Sequence, residues 1–520
     1  MKSKSIAIFI SVLLILILAS SSIKSQAING NGPYQATGIK IGEVNQTGAI
    51  IWTRLTLNAK RVSSDAPMPE ILYKDPQTGK LRKLTKKESG TRDKTLDPVV
   101  IYPKGYNVNN IAGAVPGTIG KTCIFYKAKN STGWKSTGWK EVDPDHDYTH
   151  QFRLKNLKPN TEYQIRVESE SESGVKGQAI EGRFETAPTP DQPAKVVFTV
   201  VTGQGETDHD AGDMGWKIYP NMLALHPSFF VATGDNVYYD KLGKTKALAR
   251  YHWSRTYSFP YLTDFYRQVN SYFEKDDHDT WVDDCYPKME TKFMGKFTFK
   301  EGQQIFLDEV PMGDHTWRTI RWGKDLQIWL PEGRDFRSSN NMPDGPEKTI
   351  WGKKQKEWFK NTVRQSDASF RILIDETPVV GPDRKNKGDN LANKAFKTEG
   401  DEIRQFLASQ KNMIVICGDR HWQYVSRDIK TGLREFSCGA ETDEHAGGWE
   451  QGNYMPEHEY LNVVGGFLAV TIERVNNIPF MILKFYDVDG KVLHRDNFMK
   501  TKYGLFKIAD EYLVKEMKQQ

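Results

Sequence analysis

At 520 residues the chain is long enough for two or three domains with cores of their own, which excludes a peptide hormone or a small disulfide-stapled module. Hydrophobic residues make up 38% and charged residues 27%, and 13 Trp, 22 Tyr and 25 Phe are far more aromatic surface than a disordered chain carries. The net charge of +6 includes Lys2, Lys4 and Lys24 near the N-terminus; without them about +3 remains, a balance that leaves no footprint for nucleic acid and predicts no nucleic-acid-binding module.

The chain opens with Met1-Lys2-Ser3-Lys4, an apolar run from Ile6 to Ala19, and then Ser20, Ser21, Ser22 and Ser25. This order of charge, apolar run and small residues predicts a cleaved signal peptide over residues 1–25 and a periplasmic or extracellular location. The apolar run is shorter than the ~20 residues of a spanning helix and no later stretch approaches that length, so no transmembrane span is expected; an uncleaved anchor is the lesser alternative. Neither a twin-Arg pair before the run nor a Cys after it points to folded export or lipidation. Cys123, Cys285, Cys417 and Cys438 are too few for a disulfide framework; one or two bridges and buried thiols both fit them.

From Gly38 to Arg54 two alternating segments flank Asn45-Gln-Thr-Gly48, which is hairpin chemistry. Further on, Leu157-Lys-Pro-Asn-Thr-Glu-Tyr163-Gln-Ile-Arg-Val167 puts a Pro-Asn turn before a strand with Tyr163, Ile165 and Val167 on one face. It resembles the Leu-x-Pro-x-Thr-x-Tyr corner of fibronectin type III domains, which implies an all-β, immunoglobulin-like sandwich over residues 32–188. Asp97 to Gly120 reads as a long loop inserted in it, and the Pro-rich stretch to Pro193 as a linker. The expected role of this region is structural.

From 194 to about 500 the pattern changes to short apolar runs ended by Gly or Asp: Val196 to Val201, Phe229 to Asp235, Phe370 to Asp375, and Met413 to Asp419. These read as strands buried on both faces. Helical spacing lies between them, from Lys353 to Ser366 and from Glu402 to Ser409, so an α/β layer architecture is predicted, with residues 501–520 as a C-terminal tail. Polar clusters follow the strands: Gly203-Gln204-Gly205-Glu206, Gly234-Asp235 to Asp240, Asp276-Asp277-His278-Asp279, and Gly418-Asp419-Arg420-His421. Each alone is most simply a turn or a solvated loop. Together they bring carboxylates, imidazoles and a phenol to strand ends in one domain, a donor set for divalent or trivalent cations.

In order along the chain these motifs resemble the PhoD-type alkaline phosphatases of the metallophosphoesterase superfamily. The matching segments are Gly234-Asp235-x-x-Tyr238, Asp276-Asp277-His278-Asp279, Glu332-Gly-Arg334-Asp-Phe-Arg337, Gln355-Lys-x-Trp358-Phe359 and Gly418-Asp419-x-His421. The resemblance implies a four-layer metallophosphoesterase-type β-sandwich flanked by helices, and an exported metal-dependent phosphoric ester hydrolase acting on a small phosphate ester. It implies two or more metal ions, Ca and/or Fe in the family with Zn or Mn also suited, held by Glu206, Asp235, Tyr238, Asp277, Asp419 and His421. A metal-bound hydroxide would be the nucleophile, with His278 protonating the leaving oxygen or holding a phosphate oxygen, and Arg255 gripping the phosphate. Arg334, Arg337 and Arg384 are weaker candidates for that grip, and His209 and His252 read as ordinary polar residues. The sequence departs from the family where Cys-x-Asp is common, here Gln204 and Glu206. The alternative is therefore an altered or inactive member that binds a phosphorylated or anionic ligand. Monoester or diester preference and oligomeric state stay open at this point.

Overall fold

In the computed structural model, residues 32–85, 88 and 95–518 are described, so the expected signal peptide lies outside the described residues. Two large sheets face each other. One has ten strands in the spatial order Gly504–Ile508, Val492–Thr501, Ile478–Tyr486, Phe467–Val475, Val196–Val201, Phe229–Thr233, Asn270–Glu274, Ile39–Gly42, Ala49–Arg54 and Thr149–Leu154. The other has seven, running Arg318–Trp322, Leu326–Leu330, Phe370–Asp375, Met413–Cys417, Arg434–Cys438, Gln423–Arg427 and His458–Asn462.

Side-chain alternation along these strands builds four layers. Phe229 and Val231 point into the core between the sheets with Ile372, Ile374, Ile414 and Ile416. Phe230 and Ala232 point the other way, onto the helices Ile218–Ala224, Lys246–Thr256, Pro260–Tyr266 and Phe299–Glu309. On the far side Leu373 and Val415 meet Phe359, Val363, Ile403 and Leu407 of the helices Lys353–Gln365 and Lys397–Ser409. Strands buried on both faces explain why the sequence shows continuous apolar runs there rather than alternation.

The N-terminal region is a sandwich, and Lys158 N–H donates to Tyr163 Oη at 2.8 Å, which pins the corner read from the sequence. Its boundary with the following domain differs from expectation. Ile39–Gly42 pairs in parallel with Asn270–Glu274, so one face of the sandwich is the continuation of the ten-stranded sheet. The second face is a five-stranded sheet of Ile180–Glu185, Glu162–Glu170 and Lys121–Ala128 with the short strands Lys135–Ser136 and Lys140–Glu141 at its edge, and Ile39, Ile41, Ile51, Ile165 and Val167 lie in the core between. The stretch expected to be a loop from Asp97 is partly a strand: Asp97–Ile101 pairs with Glu70–Lys74, which also pairs with Leu81–Arg82. The expected tail is also structured. Gly504–Ile508 is the edge strand, and Asp510–Lys518 is a helix whose Leu513 is buried against Phe480 and Ile482. All four cysteines are buried free thiols, and no helix among the described residues is long and apolar enough to cross a membrane.

Where the two regions join, Lys40 and Trp52 lie on the strand faces opposite Ile39, Ile41 and Ile51. Lys40 Nζ donates to the Glu309 carbonyl at 2.6 Å, 3.7 Å from the Trp52 ring centroid, and Trp52 Nε1 donates to the Asp308 carbonyl at 2.7 Å. Burial pushes the Lys40 ammonium down to about 7, from ~10.4 in an unfolded chain. The folded state therefore binds fewer protons than the unfolded between these values, and this group's contribution to stability rises as pH climbs through that window. Lys40→Met is expected to be more stable than wild type below pH ~7 and to lose that advantage by pH ~10. Melting temperatures across a pH series check this; a difference that does not vary with pH would refute it.

Candidate active site

The parallel strands of both sheets end on the same side, and the sheets touch there through a bridge between Thr202 and Ala440. Asp235 follows Phe229–Thr233 and Asp419 follows Met413–Cys417, both in left-handed backbone conformation with φ of 53° and 58°. Such conformations, uncommon outside Gly, Asn and Asp, turn each carboxylate off its strand and toward the other sheet. The Asp419 N–H donates to Thr202 Oγ1 at 3.1 Å, which fixes the second turn against the first sheet.

Two overlapping groups of donor atoms result. Oxygen or nitrogen atoms of Asp235, Asp277 and His278 lie within 4.8 Å of one another, and so do those of Asp235, Asp276 and Asp419. Tyr238 Oη donates to Asp235 Oδ2 at 3.0 Å and lies 3.3 Å from His421 Nε2, so Asp235, Tyr238, Asp277, His278, Asp419 and His421 come together. His278 is held from behind by the Asp240 carboxylate at Nδ1, while its Nε2 lies 3.9 Å from Asp283 Oδ1. Burial would lower the His278 pKa, but Asp240, Asp277 and Asp235 outweigh it and raise it well above the ordinary value.

The carboxylates fit cations. Asp235 Oδ1 and Asp276 Oδ2 are buried and have no hydrogen-bond partner. Burial, with help from Asp389 and Asp277, pushes Asp419 up to about 7 against the pull of Arg420. Burial and Asp235 likewise push Asp279 up to about 7. Burial and the Asp235 charge push the Tyr238 phenol well above its usual range. A multivalent cation would oppose each of these upward shifts, since it favours every deprotonated form.

Glu206, expected as a ligand, lies outside both donor groups. Its Oε2 is 2.6 Å from His252 Nδ1 and its Oε1 is 3.4 Å from Arg255 Nη1, so it belongs to a buried ion-paired cluster beside the site rather than to either donor group. The extra methylene relative to aspartate is what lets it reach back to the helix Lys246–Thr256. Arg255 itself lines the cleft with His278. Among the other arginines, Arg334 is buried, with Nε donating to Asp276 Oδ1 at 2.5 Å, and Nη2 lies 3.8 Å from Asp277 Oδ2. Arg337 donates to Asn340 and the Asp389 carbonyl, and Arg384 lies over Trp422. Gln355 braces the Glu332 turn, accepting from Glu332 N–H and donating to its carbonyl, both at 2.8 Å.

Sequence reasoning missed Asp240, Asp208 and His445. Asp240 lies in a cluster already singled out, two residues past Tyr238. His445 follows the strand Arg434–Cys438 by seven residues with no spacing relation to the other ligands, and its Nε2 is 2.8 Å from Tyr238 Oη. Burial and His421 lower its pKa to about 4.

Two facing sheets with helices outside, and a carboxylate, phenol and imidazole cluster across their shared strand ends, define a metallophosphoesterase. Residues 198–453 match the model of the PhoD-like phosphatase family. A solved structure of PhoD superposes with a TM-score of 0.65 at 14% identity, covering 91% of this chain and 92% of that one. A purple acid phosphatase from yellow lupin (Lupinus luteus) seeds superposes with a TM-score of 0.59 at 12% identity, covering 88% of this chain and 73% of that one. Among curated protein sequences none matches.

The different placement of Glu206 and Asp235 has a direct test. Glu206→Gln should keep the metal content of wild type but lower the melting temperature, because His252 and Arg255 lose a buried partner worth ~1–3 kcal/mol. Asp235→Asn should lose metal. Elemental analysis of both variants separates the two roles, and metal loss in Glu206→Gln would restore it as a ligand.

Proposed function

We propose that this chain is an exported, metal-dependent hydrolase of phosphoric esters, with Asp235, Tyr238, Asp277, Asp419 and His421 as metal ligands and His278 and Arg255 as catalytic residues. The observation that carries this reading is the largely buried donor cluster with His278 beside it, held at Nδ1 by Asp240 and lining the cleft. Cations bound there supply positive charge for the phosphoryl oxygens and a water of lowered proton affinity.

The chain's own residues supply the rest. Asp235, central to both donor groups, is the carboxylate placed to serve two cation positions. Asp240 orients His278 so that Nε2 can donate a proton to the departing oxygen or a hydrogen bond to a phosphate oxygen. Arg255 faces the same cleft, and its guanidinium suits two phosphate oxygens. Tyr238, a hard oxygen donor, favours a highly charged ion such as Fe(III), while the all-oxygen set of Asp235, Asp276 and Asp419 suits Ca or Mn.

The cleft encloses about 570 Å³, and its far wall comes from the N-terminal region: Met68, Ile71 and Leu84 with Phe293. Such a wall suits the organic group of an ester, so the region expected to be structural also shapes the substrate site. The export reading rests on the leader sequence.

Bis-p-nitrophenyl phosphate and p-nitrophenyl phosphate, assayed with Ca, Mn, Zn and Fe, test the reading. His278→Ala should lower kcat by ~10²–10⁴-fold with metal retained, the range for a positioned proton donor. Asp235→Ala should abolish turnover together with metal. If neither ester turns over with any of these ions, the reading fails; the ratio of the two esters assigns monoester or diester preference.

A further inference from the structure

We propose that His445, positioned by Asp208, is a metal ligand of this site and that with Asp235, Tyr238 and His421 it forms a nitrogen-rich position selective for a first-row transition metal. The proposal rests on the metallophosphoesterase reading.

Four donor atoms converge. Tyr238 Oη lies 3.0 Å from Asp235 Oδ2, 2.8 Å from His445 Nε2 and 3.3 Å from His421 Nε2. His421 Nε2 is 3.6 Å from Asp235 Oδ2, and the two imidazole centroids are 4.3 Å apart. The phenol has one proton and can satisfy only one of these neighbours. A cation in place of that proton meets all of them at once.

The tautomer of His445 is set from its other side. Nδ1 is 2.8 Å from Asp208 Oδ2, and an ionised carboxylate only accepts, so Nδ1 carries the hydrogen and Nε2 presents its lone pair to the cluster. A carboxylate behind an imidazole is the arrangement that orients a ligating histidine and raises its basicity.

The loop after Val196–Val201 is built to admit this pair. A Cβ at Gly203 would lie 2.9 Å from His421 Nε2 and 3.3 Å from His445 Cδ2, and one at Gly205 would lie 2.9 Å from His445 Nδ1 and 2.6 Å from Asp208 Oδ2. Any side chain at either position would displace an imidazole or its carboxylate. The carboxylates of the same loop are engaged elsewhere, Glu206 with His252 and Arg255 and Asp208 with His445 Nδ1, and Gln204 is a neutral amide whose buried Nε2 has no partner. His445 fills that deficit. Two nitrogens and two oxygens suit Zn, Fe or Mn, whereas Ca takes six to eight oxygens.

The test uses the full chain without residues 1–25, stripped and titrated with Co(II) and separately with Zn(II), with bound metal by elemental analysis and the Co(II) visible spectrum as readouts. His445→Ala should lose one transition-metal equivalent or bind it ~10–100-fold more weakly, and its Co(II) spectrum should change. Asp208→Asn should keep the stoichiometry with a weaker affinity in the same range. His445→Gln, with a metal-free melting temperature equal to wild type, guards against simple misfolding. Unchanged stoichiometry, affinity and spectrum in His445→Ala and His445→Gln, with esters still hydrolysed by wild type, would overturn this proposal alone. If wild type neither binds metal nor hydrolyses either ester, the metallophosphoesterase reading falls and takes this proposal with it.

Discussion

Like charges packed out of water dominate the centre of this molecule. Asp235, Asp276, Asp277 and Asp279 are buried and Asp419 is half-buried within one site, and isolated carboxylates in such surroundings would protonate or pull the structure apart. Much of the surrounding architecture answers that repulsion. Arg334 reaches Asp276 and lies near Asp277, with Arg420 spanning Asp419, Asp383 and Asp389. Asp279 accepts from the Asn236 and Asp276 backbone N–H groups at 3.1 and 2.7 Å. Arg334, which looked like a phosphate grip in the sequence, is thus engaged as an internal counter-charge, whereas Arg255 lines the cleft.

The N-terminal sandwich extends this scheme. It continues the ten-stranded sheet, covers its junction with Lys40 and Trp52, and sends the small sheet of Glu70–Lys74, Leu81–Arg82 and Asp97–Ile101 over the cleft. Tyr73 of that sheet stacks on Phe293, ring centroids 5.6 Å apart, beside the segment that follows the Asp276-Asp277-His278-Asp279 motif. This wall of the cleft is therefore anchored in the core that packs beneath the carboxylates.

Much of this was legible in the sequence because local rules operate there. Continuous apolar runs ended by Gly-Asp mark buried parallel strands, and the residue after the strand is where a site forms, so Asp235, Asp419 and their neighbours stand out. Tyr163 was readable because its corner is a local motif. What was not legible depends on long-range geometry. Nothing near Glu206 announces that His252, 46 residues on, will capture it. His445 sits 207 residues from Tyr238 and 237 from Asp208, a proximity that only the folded sheets create. The pairing of Ile39–Gly42 with Asn270–Glu274 is likewise invisible, since an alternating hairpin strand can close a sandwich or extend a neighbouring sheet equally well.

The parallel pairing of Ile39–Gly42 with Asn270–Glu274 bears on how the chain can be divided. Cutting between the sandwich and the following region would leave Asn270–Glu274 with an open row of backbone N–H and C=O groups along one edge. An unprotected inner strand of that kind is a template for pairing with another chain. The N-terminal region is in this sense the catalytic sheet's own edge protection, and a fragment beginning near residue 194 would trade a closed sheet for a self-associating one.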